Sequence, residues 1–89
     1  MIAPKDKDIV ISFAKKFGVK EIYLFGSSLD NEEEANDIDL AVRGVSPSLF
    51  FDFYGKLLRY LSKPVDIVNL SKESRFTKMI EKNAVKIYG

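Results

Sequence analysis

Three aspartates stand where strand residues are expected. In Asp37-Ile38-Asp39-Leu40-Ala41-Val42 two carboxylates alternate with apolar residues, and Asp66 interrupts Val65-Asp66-Ile67-Val68 in the same way. Side chains alternate across a strand, so Asp37 and Asp39 share one face while Ile38, Leu40 and Val42 point to the other, into the core. Aspartate is a poor strand residue, and neighbouring carboxylates repel each other. A divalent cation between them removes that penalty and keeps both ionised. Hard oxygen ligands suit magnesium or manganese, which retain waters and take further ligands from substrate phosphates. With Asp66 as third carboxylate, two strands can hold two ions about 3.5 to 4 Å apart. That arrangement activates an attacking hydroxyl and stabilises the leaving group in phosphoryl and nucleotidyl transfer.

Gly26-Ser27-Ser28 supplies the complementary half of such a site. Glycine lets the backbone approach an anion closely, and the amides and hydroxyls that follow can donate to phosphate oxygens. A Gly-Ser pair after a strand is most often a turn, and a D-x-D arises readily by chance. Their combination, in order and with a third aspartate in the next strand, is far more specific. The adjacent Glu32-Glu33-Glu34 run reads as solvated loop, and Lys72, Arg75 and Lys78 read as an ordinary exposed face.

Composition narrows the chemistry further. The chain of 89 residues has no cysteine and no histidine, which excludes disulfides, thiolate metal sites and Ser-His or Cys-His nucleophiles. Transfer chemistry must then rest on carboxylates. Lysine plus arginine (14) balance aspartate plus glutamate (13), so no overall field draws the molecule to nucleic acid or to a membrane surface. The N-terminal stretch MIAPKDKDIVISFAKKF lacks the apolar segment of a signal peptide, and no run of about 18 apolar residues could span a bilayer. The expected location is the cytoplasm.

The elements that must position these residues can be read from periodicity. Ile9, Val10, Phe13, Ala14 and Phe17 recur at helical spacing between Lys5 and Phe17, with Gly18 placed to end the helix. Glu21 to Phe25 is a short strand stopped by Gly26, and a second strand runs from about Asp37 to Arg43. Ser46-Pro47 starts the longest helix, whose apolar face is Leu49, Phe50, Phe53, Tyr54, Leu57, Leu58 and Leu61; Phe51 falls outside that stripe. Lys63-Pro64 ends it near Ser62, Val65 to Leu70 is a third strand, and Ser71 caps a final helix with Phe76, Met79 and Ile80 inward. The tail AVKIYG offers a fourth strand. The expected architecture is one domain over 1–89, of α+β (mixed α/β) class: a small mixed sheet of three to four strands with helices packed on one face. The connection from Gly26 to Asn36 is the long irregular one, of the kind that is commonly functional.

These residues resemble the DNA polymerase beta-like nucleotidyltransferase superfamily: an apolar residue, Gly26-Ser27, a gap of nine residues, then Asp37-Ile38-Asp39 between apolar positions. GVKEIYLFGSS, NDIDLAV, SLFFDFYGKLLRYL and KPVDIVNL follow the order and spacing of the minimal nucleotidyltransferases, so the resemblance covers nearly the whole chain. It implies a nucleotidyltransferase fold and an antitoxin paired with a HEPN-domain toxin, which transfers AMP from ATP to a tyrosine hydroxyl of that toxin. It also implies roles for single residues. Gly26 and Ser27, with Ser28 beside them, would hold the nucleoside triphosphate; Asp37 and Asp39 would bind Mg2+ or Mn2+; Asp66 would bind the catalytic metal and help to deprotonate the acceptor. Where many family members have an Ala-Arg-Gly-like segment after Gly-Ser, this chain has Leu29-Asp30-Asn31. That departure keeps open an alternative: a catalytically degenerate antitoxin that acts by binding its partner. The exposed aromatic Phe51 points to a protein partner, and association with further copies of the chain is compatible with it.

Overall fold

A computed structural model describes residues 2–26 and 37–89. Helix α1 (Pro4–Phe17) leads into β1 (Glu21–Leu24); β2 (Ile38–Arg43), α2 (Pro47–Tyr60), β3 (Val65–Asn69), α3 (Arg75–Asn83) and β4 (Val85–Tyr88) follow. Proline stands in the first turn of both α1 and α2, where its missing N–H leaves no intrahelical bond unmade. Gly18 ends α1 in the left-handed conformation at φ 70°, and its N–H donates back to the last turn.

The four strands lie in the order β3-β2-β1-β4. β1 runs antiparallel to both neighbours, whereas β2 and β3 are parallel and joined through α2 as a βαβ crossover. In β2, all six positions from Ile38 to Arg43 are at least partly buried, as expected of a strand paired on both edges and covered on both faces.

The main core fills one face of the sheet. Val10 and Ala14 of α1 and Phe53 and Leu57 of α2 pack on Ile22, Leu24, Leu40 and Val42, all fully buried. Truncating a ring such as Phe53 removes roughly 3 to 5 kcal/mol in a core of this kind. The buried Asp6 of α1 accepts hydrogen bonds from the backbone N–H and the hydroxyl of Ser62, which ties the start of α1 to the end of α2.

The mixed α+β class and four-stranded sheet stand as read from the sequence, and α1 and α2 cover one face. Helix α3 lies against the other, where Ile80 packs with Ala41 and Leu70 beside Tyr23, Phe25 and Val68. Its start also differs from the expectation. Ser71 donates its N–H to Asn69 Oδ1 in a turn, and Ser74 caps the helix instead, exchanging hydrogen bonds with Thr77. The helix also presents a different face to the sheet: Thr77 and Ile80 are buried, while Phe76 and Met79 are more than half exposed rather than inward. Leu58 of α2 likewise faces outward, and Phe51, at 79 % exposure, lies off the inward stripe as expected.

Beyond α3's apolar contacts, the same sheet face carries an ion network. Glu21 of β1 accepts from Arg43 (3.3 Å), Lys86 (3.1 Å) and the Tyr23 hydroxyl (3.1 Å), and Arg43 also meets Glu81 of α3. Lys86 and then Tyr23 hold the Glu21 carboxyl below its ordinary value, and Glu21 in turn holds Lys86 above its own. The depressed carboxyl contributes stability above its unfolded value and loses it as pH falls through the folded one; the raised ammonium contributes below its unfolded value and loses it as pH rises. The pair therefore favours the folded state between the two ordinary values, 4.5 and 10.5. Glu21→Gln is expected to remove part of the loss of thermal stability below about pH 4.5, measured as Tm against pH in low salt; an unchanged acid limb would show that the network contributes nothing.

Candidate active site

The topology sends the sequence-predicted residues to one end of the sheet. β1 is antiparallel to β2, so its C-terminal end lies beside the start of β2, and the parallel β3 starts at the same edge. Two backbone hydrogen bonds fasten that edge: Phe25 N–H donates to Asp39 O at 3.1 Å, and Ile38 N–H donates to Pro64 O at 2.8 Å. Asp39 and Asp66 are direct partners in the parallel register, so their side chains rise from the same face. Asp37, two residues before Asp39, precedes the strand at this edge and is exposed. The carboxylate face is the one opposite α1 and α2, because Ile38, Leu40 and Val65 between them point into the main core.

Gly26 completes this edge. Its φ is +66°, in the left-handed region, and a Cβ built on it would lie 2.6 Å from Asp39 Oδ2. Only glycine combines that backbone conformation with so close an approach of chain to carboxylate. The room left by the missing side chain is taken by the Asp39 carboxylate, which lies directly against the Gly26 backbone. Ser27, Ser28 and the Leu29-Asp30-Asn31 departure lie outside the described residues.

The donor set suits magnesium or manganese, since carboxylate oxygens are hard ligands and Asp39 and Asp66 share a face in register. As the side chains stand, no group of three acidic residues among the described residues closes to ion-binding distance. Asp39 is half-buried, while Asp37 and Asp66 are exposed.

One positioning contact was not foreseen from sequence. Tyr54 of α2 donates its hydroxyl to the carbonyl of Val65 at 3.1 Å, fixing the chain immediately before Asp66 from the far side of the sheet. In the sequence Tyr54 is one more member of an apolar stripe; only its spacing toward the start of β3 gives it a polar task. A wider groove of about 560 Å³ lies between α1 and α2, bordered by Lys16, Phe51, Gly55 and Arg59. It belongs to the helical layer, across the sheet from the carboxylates, and is not part of the candidate site.

Residues 7–89 match the family described as Polymerase beta, Nucleotidyltransferase. Among solved structures, the chain is similar to one in a toxin–antitoxin crystal structure with AMP-PNP, at TM-score 0.75 and 24% identity, covering 93% of this chain and 73% of that one. It is similar to a chain in a tri-AMPylated Shewanella oneidensis HEPN toxin in complex with MNT antitoxin, at TM-score 0.71 and 23% identity over 94% and 70% of the two chains. A further Shewanella oneidensis structure aligns at TM-score 0.75 and 19% identity over 99% and 73%. No curated protein matches. At such identities the structural likeness speaks for the fold, while the family match spans nearly the entire sequence. The chain therefore belongs to the polymerase beta nucleotidyltransferase family, is a nucleotidyltransferase by class, and shares its fold with chains of MNT–HEPN toxin–antitoxin structures.

Proposed function

We propose that residues 1–89 act as a single, cytoplasmic nucleotidyltransferase domain that moves AMP from ATP to a tyrosine hydroxyl of a HEPN-type toxin partner, and so serves as its antitoxin. The observation that carries this reading is the close approach of Gly26 to the Asp39 carboxylate at the edge where Asp66 stands in register. The similarity to chains of a complex with AMP-PNP and of one with a tri-AMPylated HEPN toxin supports it. So does the solvent-facing side of α2, where Phe51 and Leu58 expose apolar surface suited to a protein partner.

In this reading Asp37, Asp39 and Asp66 hold Mg2+ or Mn2+, and Gly26 with Ser27 and Ser28 holds the triphosphate. The metal supplies charge neutralisation at the phosphates and lowers the cost of ionising the acceptor hydroxyl. Asp66, solvent-facing beside Asp39, takes the acceptor proton as the hydroxyl oxygen bonds to the α-phosphorus. The bond from that phosphorus to the β-phosphate oxygen breaks, and pyrophosphate leaves.

Incubation with ATP labelled in the α-phosphate, Mg2+ and a HEPN-type partner should label a partner tyrosine. Asp37→Asn with Asp39→Asn should abolish labelling, as should Asp66→Asn and removal of divalent metal by chelation. No label with either metal would overturn transfer. The Leu29-Asp30-Asn31 departure favours a second reading, in which a degenerate site leaves an antitoxin that works by binding. It is distinguished by the double asparagine variant: a variant that still neutralises the partner assigns the function to the complex itself, whereas lost neutralisation with retained binding assigns it to transfer.

Gly26→Ala is expected to cost about 1 kcal/mol in stability for the left-handed backbone. It should lower transfer activity at least tenfold, because its Cβ displaces Asp39. Parallel denaturation and activity measurements separate the two effects, and wild-type activity in the variant would remove Gly26 from the site.

A further inference from the structure

A recess of about 330 Å³ opens beside Gly26, between the end of β1 and α3, and nothing in the transfer reading accounts for it. Phe25, Gly26, Met79, Ile80 and Asn83 line it. Its volume falls within the range of roughly 300 to 1,000 Å³ typical of small-molecule sites. Among the described residues no charged side chain borders it, which favours an apolar ligand over phosphate or a metal ion. The described residues give it an aromatic ring, aliphatic surface and bare backbone as walls, with the Asn83 amide at the rim. A flat ligand with apolar faces and a polar edge matches those walls. The recess also adjoins the carboxylate edge, because Gly26, whose α-carbon lies against the Asp39 carboxylate, is part of its lining.

We propose that this recess seats the nucleobase of the nucleoside triphosphate, and that the Asn83 amide selects adenine. The inference rests on the nucleotidyl-transfer reading and adds to it the location of the base and the residue that reads it. A triphosphate held at Gly26 carries its nucleoside onto a neighbouring surface, and the adjoining apolar hollow is this one. Phe25 offers a ring for stacking, which every base can use. Asn83 offers the discrimination. It is the last residue of α3, it is exposed, and among the described residues its Nδ2 reaches only the Met79 carbonyl at 3.5 Å, the outer limit of a hydrogen bond. The amide is thus available to a ligand. Its paired donor and acceptor match the acceptor and donor that adenine presents at N7 and N6, whereas guanine presents two acceptors there and leaves the asparagine oxygen facing another oxygen.

Met79 supplies a direct reporter. The sequence holds two methionines, Met1 and Met79, so a protein labelled with 13C at the methionine methyl groups gives two resolvable signals. With Mg2+ present, AMP-PNP should shift the Met79 methyl proton through the ring current of the bound base, and inorganic tripolyphosphate should not. Equilibrium binding should show AMP-PNP preferred to GMP-PNP by about tenfold, the effect of one hydrogen-bonded pair. Asn83→Leu, at an exposed position, should erase that preference and leave tripolyphosphate affinity unchanged. If AMP-PNP binds with no response at Met79, or if Asn83→Leu keeps the adenine preference, the base lies elsewhere and this inference is overturned while the transfer reading stands. If neither nucleotide nor tripolyphosphate binds the wild-type chain, the transfer reading itself fails. If Asn83→Leu weakens only the association with a HEPN-type partner, the recess seats a protein side chain and the assignment to a nucleobase is overturned.

Discussion

Strand β2 is the constraint on which the molecule depends. It is hydrogen-bonded along both edges, to β1 on one side and β3 on the other, and helices pack over both of its faces. Its side chains alternate between two environments. Ile38, Leu40 and Val42 are driven into the main core with α1 and α2, and that burial fixes the register against β1 and β3, because a slip by one residue would place Asp39 in the apolar layer. Packing on one face thereby holds the carboxylates on the other. The geometry of the candidate site is a by-product of hydrophobic burial.

The opposite face divides along the strand into three zones. At one end Asp39 and Asp66 rise side by side; in the middle Ala41 leaves space for Ile80 and the apolar flank of α3; at the far end Arg43 joins Glu21, Lys86 and Glu81. The small residue at 41 matters because it lets a nine-residue helix approach the sheet closely. The ion network pins that helix from the end remote from the carboxylates. Since α3 forms one wall of the recess at Gly26, interactions among exposed charges at one end of the sheet help to shape the surface at the other.

Much of the candidate site is legible in the residues because strand alternation is strict. Two carboxylates with one residue between them must share a face, and a glycine that ends a strand must meet whatever follows it at that edge. The elements were legible for a related reason: periodic apolar spacing marks α1, α2 and the strands. The orientation of α3 was less so. Its apolar residues Phe76, Met79 and Ile80 are spaced to share one helix face, yet packing against the sheet turns Ile80 inward with Thr77 and leaves Phe76 and Met79 exposed; the helix also needs a cap. Two serines compete for that role, and the turn made by Asn69 with Ser71 decides it in favour of Ser74. Such competition between local hydrogen bonds is settled by what the helix then packs against, which the local sequence does not contain. Tyr54 was obscure for the same reason, its hydroxyl partner being a carbonyl on another element.

By itself, the sequence determined the class of protein, a nucleotidyltransferase of the polymerase beta family, and with no histidine or cysteine it left aspartates as the candidates to carry the chemistry. It also determined which side of each strand the functional groups occupy, since alternation is a property of the backbone alone. Only the tertiary structure decided that Asp39 and Asp66 are register partners, that Gly26 lies against the Asp39 carboxylate, and that α3 crosses to the carboxylate face to form a recess there. Those facts depend on which strands pair and in what direction. That is settled by burying the apolar faces of all the elements together, a quantity that no single stretch of the chain contains.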